Sequence, residues 1–214
     1  MSIENLKRTF DLANEFDISV GRGAYRKYNR IMCKLAEKCG TTPRIASAVF
    51  AALSPNNDYH GNLRDTHTVL MASKQNLFSD EFKVSTYGNN KRKALYIADG
   101  ADPLDQIRAK KTRNFFLNVD NPIDREPVTI DGHMINIWRG WRERLVGLRS
   151  TPALYDEIAD GVRRTAAGLD LIPCELQAIL WITWRRIHGI KTSQQMELWD
   201  AELLAARCGY HPVD

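Results

Sequence analysis

Ile107–Trp138 reads IRAKKTRNFFLNVDNPIDREPVTIDGHMINIW, and its punctuation decides the fold. Lys110 to Asn118 carries apolar residues at helical spacing and stops before Asn121-Pro122, because the residue preceding a proline is pushed out of the α region. Val128-Thr129-Ile130 is a β-type run of three residues with no partner run elsewhere in the chain. Asp131 follows as an N-cap, its side-chain oxygen suited to accept from the first free backbone N–H groups, and helical spacing predicts a helix from there through Trp141. Two helices joined through so short a β-type run leave no sheet to build.

The same grammar extends outward. Toward the N-terminus, Thr42-Pro43 reads as an N-cap and first-turn proline opening RIASAVFAALS, which is apolar nearly all round and predicts a buried central helix ending at Ser54-Pro55. Before it, Ile3, Leu6, Phe10, Leu12 and Phe16 fit one helical stripe, and Ala24 to Lys38 forms another helix closed by Gly40. After it, Asp58 to Ser73 predicts a helix with Leu63, Thr66, Val69 and Leu70 inward, and Asn90 to Ala98 a shorter one ending at Gly100. Toward the C-terminus, Thr151-Pro152 starts a helix running to Leu169, Pro173 opens CELQAILWITWRRIHG, closed by Gly189, and Thr192 to Cys208 forms a last helix before Gly209. The expectation is an all-α protein of about ten helices. Its lobes are expected to be a central bundle over 40–150 and a packing lobe of 1–39 with 151–214, separated by a cleft.

Composition excludes several classes. Hydrophobic residues make up 43% and charged residues 26% of 214, an ordinary globular balance. MSIENLKRTFDLANEF is charged and amphipathic rather than signal-like, and no run approaches the roughly 18 apolar residues needed to span a bilayer, so an intracellular protein without membrane association is expected. The four cysteines (Cys33, Cys39, Cys174, Cys208) show neither CxxC nor an Fe–S pattern, and the five histidines (His60, His67, His133, His188, His211) show no HExxH, so neither metal nor cofactor is expected. The net charge is only +4, yet it is unevenly placed. Gly21 to Arg44 holds seven Lys/Arg against Glu37 alone, and Ile107 to Arg149 holds nine basic against five acidic residues. Such local excess suits a polyanionic partner.

Lys111-Thr112, followed by Ile130-Asp131-Gly132-His133, resembles the endonuclease III-like branch of the helix-hairpin-helix (HhH-GPD) DNA glycosylases. In that family a Lys-Thr pair ends a hairpin between two helices, and an aspartate motif follows. Ala52-Leu53-Ser54-Pro55-Asn56-Asn57, with Asn62 beyond it, is similar to the family's buried helix, which ends in Leu-Leu-Ser followed by a polar residue that enters the DNA stack. The resemblance covers about residues 40 to 190. The hairpin departs from the pattern: Leu104-Asp105-Gln106-Ile107-Arg108-Ala109 lacks both family glycines. Phosphate contacts would then fall to the side chains of Arg108, Lys110 and Arg113, since cations supply most non-specific nucleic-acid affinity.

The resemblance implies a DNA glycosylase, with or without lyase activity, acting as a monomer on a modified or damaged base flipped from double-stranded DNA in a bacterial or phage-infected cell. It makes Asp131 and Lys111 the catalytic candidates, and Asn56, Asn57, Arg108, Lys110 and Arg113 the DNA contacts. The hairpin divergence implies an atypical substrate such as a hypermodified base. It fits equally a transferase acting on activated thymine derivatives in phage DNA, and a DNA-binding protein without chemistry remains a third alternative.

Physical chemistry supports Asp131 independently. A carboxylate at a helix N-terminus accepts backbone N–H groups at the positive end of the dipole, and both favour its ionised form. An ionised carboxylate can stabilise oxocarbenium character at C1′ and orient an attacking nucleophile. Lys111, with Arg108, Lys110 and Arg113 nearby in sequence, reads either as a Schiff-base nucleophile or as a phosphate contact, and Lys110 takes its place if the register slips by one. His133 reads as a structural histidine. Gln177, Trp181, Trp184, Arg185 and His188 share a helix face, so the first four form a candidate pocket for a flipped base, with core packing the plainer alternative.

Overall fold

The computed structural model describes residues 2–148 and 150–190. The helix expected over Thr192 to Cys208, and with it Cys208 and His211, lies outside them. Among the described residues the protein is all-helical: ten helices and no strand. They are α1 (Ile3–Asp11), α2 (Glu15–Cys39), α3 (Pro43–Leu53), α4 (Tyr59–Lys74), α5 (Gly88–Ala98), α6 (Pro103–Gln106), α7 (Lys110–Asp120), α8 (Gly132–Arg139), α9 (Pro152–Gly168) and α10 (Pro173–Ile187). The chain divides into two compact units, one formed by the described residues of Met1–Met32 and Arg108–Ile190, the other including Cys33–Ile107. The lobes read from sequence have their boundaries at 39/40 and 150/151.

The first unit is built from α1, the first part of α2, and α7 to α10. Its core gathers Leu6 of α1, Met134, Ile137 and Trp138 of α8, Ile158 and Val162 of α9, and Leu176, Ile179 and Leu180 of α10, all essentially out of water. Each such side chain contributes roughly 1.5–3 kcal/mol on burial. Two stretches correct the sequence reading. The N-terminal stripe breaks at Asp11, leaving Leu12 and Phe16 in solvent. α8 stops at Arg139 rather than Trp141, because Gly140 takes a left-handed φ of 83° and its N–H closes the last turn on Asn136 O (2.9 Å).

α2 begins far earlier than its apolar spacing suggests, running through Gly21 and Gly23. A box starts it: Asn14 Oδ1 accepts from Asp17 N (2.9 Å) while Asp17 Oδ2 accepts from Asn14 N (3.3 Å). Gly21 is required by a close helix approach, since a Cβ there would sit 2.7 Å from the backbone N and Cα of Ile179 on α10. Asp17, fully buried, clamps the same two helices by pairing with Arg186 (2.7 Å), and Tyr25 OH donates to Gln177 Oε1 (2.7 Å).

The second unit centres on α3, buried from Ala46 to Leu53, with α4 and α5 packed on it. Thr42 Oγ1 caps it by accepting from Ile45 N (3.2 Å), and Asp58 Oδ1 caps α4 by accepting from Gly61 N (2.7 Å). The buried Asn62 amide donates to Phe50 O (3.0 Å), fixing α4 to α3.

Among the described residues no single helix is long and apolar enough to cross a membrane. α9 and α10 pass that test only as a pair bent by 102°, and their apolar residues are the core just described.

Candidate functional site

The β-type run Val128-Thr129-Ile130 forms no strand. Side chains satisfy its backbone instead. Tyr155 OH on α9 donates to Val128 O (2.8 Å) and accepts from Ile130 N (3.2 Å). Asn114 Nδ2 on α7 donates to Val128 O (3.0 Å) and to the same hydroxyl (2.9 Å). On the opposite face Thr129 Oγ1 accepts from Asn118 Nδ2 (3.0 Å). Burial pushes the Tyr155 phenol above its ordinary value, which keeps the proton this clamp needs. Val128 and Ile130 meanwhile enter the core. The run is therefore a rigid, extended strut, and the residue it delivers is Asp131.

Asp131 has extended backbone and caps α8, its Oδ1 accepting from Met134 N (3.0 Å). Its second oxygen is held from another helix: Trp181 Nε1 on α10 donates to Oδ2 (2.8 Å). A plain cap uses one oxygen; here both are fixed, one at the dipole's positive end and one by an indole. The Arg185 guanidinium lies over the Trp181 ring, 4.2 Å from its centroid. The His133 ring meets the same indole edge-on, with centroids 5.8 Å apart. Burial lowers the His133 pKa; Asp131 opposes that shift, while the positive charges of Arg185, Lys111 and Arg142 add to it. His133 is thus neutral at neutral pH, and its Nδ1 is buried without a hydrogen-bond partner among the described residues.

Of the residues expected at a site, Asp131, Trp181, Arg185 and His133 are brought together, and the charge of Lys111 reaches His133. The two adjacent lysines differ in their surroundings. Lys110 Nζ lies 2.7 Å from each carboxylate oxygen of Asp156, whereas Lys111 is exposed and makes neither ion pair nor hydrogen bond among the described residues. Arg108 and Arg113 are exposed in the same unit. Gln177 and Trp184 go elsewhere. Gln177 is buried and engaged with Tyr25, and Trp184 is buried with its ring 4.0 Å from that of His188. The supposed single helix face therefore divides between core and site.

Asn56 and Asn57 lie in the other unit and also differ from each other. Asn57 Nδ2 donates to Asp65 Oδ2 (2.8 Å), holding the turn, while Asn56 is exposed with a left-handed φ of 57°. Three contributors escaped the sequence reading: Tyr155 and Asn114, which hold the strut, and Arg142, whose Nη1 donates to His188 O (3.1 Å). Hydroxyl and amide residues on helices give no local signal of that kind. No group of three or more His, Cys, Asp or Glu is disposed to hold a metal among the described residues.

Fold and site together define an all-α protein in which a strut and two N–H donors fix one carboxylate among cations. The chain belongs to a family of unknown function (DUF7178), whose profile matches residues 1–188. No curated protein and no solved structure matches it.

Proposed function

We propose that the protein is a DNA glycosylase of the HhH-GPD kind, acting as a monomer on a modified base turned out of double-stranded DNA, with Asp131 as its catalytic carboxylate. The observation that carries this reading is the double tether of Asp131, one oxygen on Met134 N and the other on Trp181 Nε1. Capping alone needs only the first. A carboxylate pinned in both oxygens is preorganised to face charge that develops in one place. The all-helical setting and the order of Lys111 before Asp131 agree with the resemblance read from sequence.

In this reading the bond from C1′ to the base nitrogen breaks with its electron pair leaving on the base. Asp131 stabilises the cationic sugar and orients a water, which adds to C1′ while its proton passes to the nitrogen of the departing base. The products are a free base and an abasic site. Lys111 offers a second nucleophile: if its amine, once deprotonated, adds to C1′ in place of water, the resulting Schiff base leads on to strand cleavage. Exposed cations, Arg113 among them, would hold phosphates, and of the two asparagines Asn56 would be the one to enter the stack, since Asn57 is held by Asp65.

The test is mass analysis of bases released from a panel of duplexes carrying damaged and hypermodified bases, with wild type, Asp131→Asn and Lys111→Ala. Wild type should release a base, and Asp131→Asn should bind the same DNA while losing roughly 10²-fold or more in rate. Borohydride traps the wild type on DNA, and spares Lys111→Ala, if the lysine is the nucleophile; it traps neither protein if water is. Full activity in Asp131→Asn would reduce Asp131 to a helix cap and refute the proposal. A gain of mass in the DNA with no base released would assign group transfer instead.

A further inference from the structure

The segment after α8 carries none of the reacting groups above, yet it is built with care. Glu143 ties it together three times. Its backbone O accepts from Asn136 Nδ2 (2.9 Å), one carboxylate oxygen accepts from Arg139 (2.7 Å), and the other from Trp141 Nε1 (2.7 Å). Arg142 is anchored on His188 O, and Leu148 N closes a turn on Leu145 O (3.1 Å). Within this fixed frame Val146 is 95% exposed and Trp141 50%, with Leu145 also in solvent. The loop adjoins the candidate site: a Cβ on Gly132 would come within 2.9 Å of Leu145 Cδ2, and Gly132 is the residue after Asp131. Arg142 and Arg144 are exposed between the apolar tips, and the loop's one acid, Glu143, is already neutralised by Arg139.

We infer that residues 140–148 form a DNA-gripping loop, in which Arg142 and Arg144 hold phosphates while Trp141 and Val146 pack against bases at an unpaired nucleotide. A preordered loop offering apolar tips between unneutralised cations suits a partner that is anionic at its edge and apolar where bases unstack. The position fits as well, since a base leaving the stack beside Asp131 opens a gap that an apolar side chain can occupy. This inference rests on the proposed DNA reading and adds to it the element that recognises the disrupted step.

The experiment measures binding of the full chain to three fluorescein-labelled probes over a range of salt: a fully paired duplex, the same duplex with a central tetrahydrofuran abasic analogue, and the single strand. Wild type should prefer the abasic duplex. Trp141→Ala/Val146→Ser should lose roughly tenfold on that probe and little on the paired duplex. Val146→Ser alone, at a side chain almost wholly in water, should give part of the same loss with folding intact. Arg142→Ala/Arg144→Ala should weaken every probe and reduce the salt slope by about two counterions. Variants that bind all probes like wild type would overturn the inference while leaving the DNA reading standing; so would sedimentation showing that the loop residues hold two copies together. A wild type that binds no probe would sink both.

Discussion

Replacing Trp181 by Phe keeps an aromatic ring beside His133 and under Arg185 but deletes the N–H that holds Asp131 Oδ2 at 2.8 Å. A hydrogen bond to a charged acceptor contributes about 1.5–3 kcal/mol when shielded. Both residues here are only half-buried, so about 1–2 kcal/mol is the expected cost, or a fall in Tm of roughly 2–8 °C for a chain of this size. The structure supplies the control. In Asp131→Asn the side-chain oxygen can still cap α8 through Met134 N, and the amide nitrogen that replaces the other oxygen cannot accept from the indole. Trp181→Phe should then cost almost nothing further in that background. A double-mutant cycle on thermal or urea unfolding measures the difference directly. Equal costs of Trp181→Phe in the two backgrounds, within about 0.3 kcal/mol, would show that the indole does not tether the carboxylate and would remove the observation on which the catalytic reading rests. If the tether is real, Trp181→Phe should also lower kcat more than it raises KM once a substrate is known, because a misplaced carboxylate harms the transition state more than binding.

Gly21→Ala should destabilise by about 1–2 kcal/mol despite the better helix propensity of alanine, because its Cβ meets the Ile179 backbone; Gly23→Ala, with open space around it, should stabilise by about 0.5–1 kcal/mol. Denaturant unfolding of the pair checks both signs. Asp17→Ala should cost about 2–4 kcal/mol by stranding Arg186, less than for a wholly buried pair because that guanidinium is 35% exposed. His133 has a folded pKa below its ordinary 6.5, so its contribution is complete above that pH and is lost as pH falls below it. Stability measured between pH 7.5 and 5 should therefore decline, and His133→Asn should flatten part of that slope; His67 and His188, shifted the same way by burial, contribute to the remainder.

The helix starts were legible because their signals are local. Thr42-Pro43, Thr151-Pro152 and Pro173 each combine a fixed φ with a missing N–H just where a first turn has no use for one. Gly40 and Gly189, both left-handed, mark ends for the same kind of reason. Asp131 as an N-cap belongs to this group. Trp141 misled because it continues the apolar spacing of α8 past a glycine that had already ended the helix. The start of α2 was missed for the converse reason: Gly21 and Gly23 argue locally against a helix, and the approach of α10 at Ile179 explains the first of them. What no local rule could supply is the second tether on Asp131, which comes from a residue 50 positions away.

That tether depends in turn on where α10 lies; α1, α8 and α9 pack on α10 through the core, and three specific contacts fix it to one further neighbour. Gly21 admits Ile179, Asp17 binds Arg186, and Tyr25 binds Gln177, all along the first half of α2. Trp181 sits between the second and third of these anchor points on α10. α2 therefore acts on the geometry at Asp131 without touching it, and the candidate site extends in energetic terms to a helix that carries none of its chemistry. The packed glycine and the buried carboxylate of α2 thus help to hold the helix that carries Trp181, and through it the oxygen it binds.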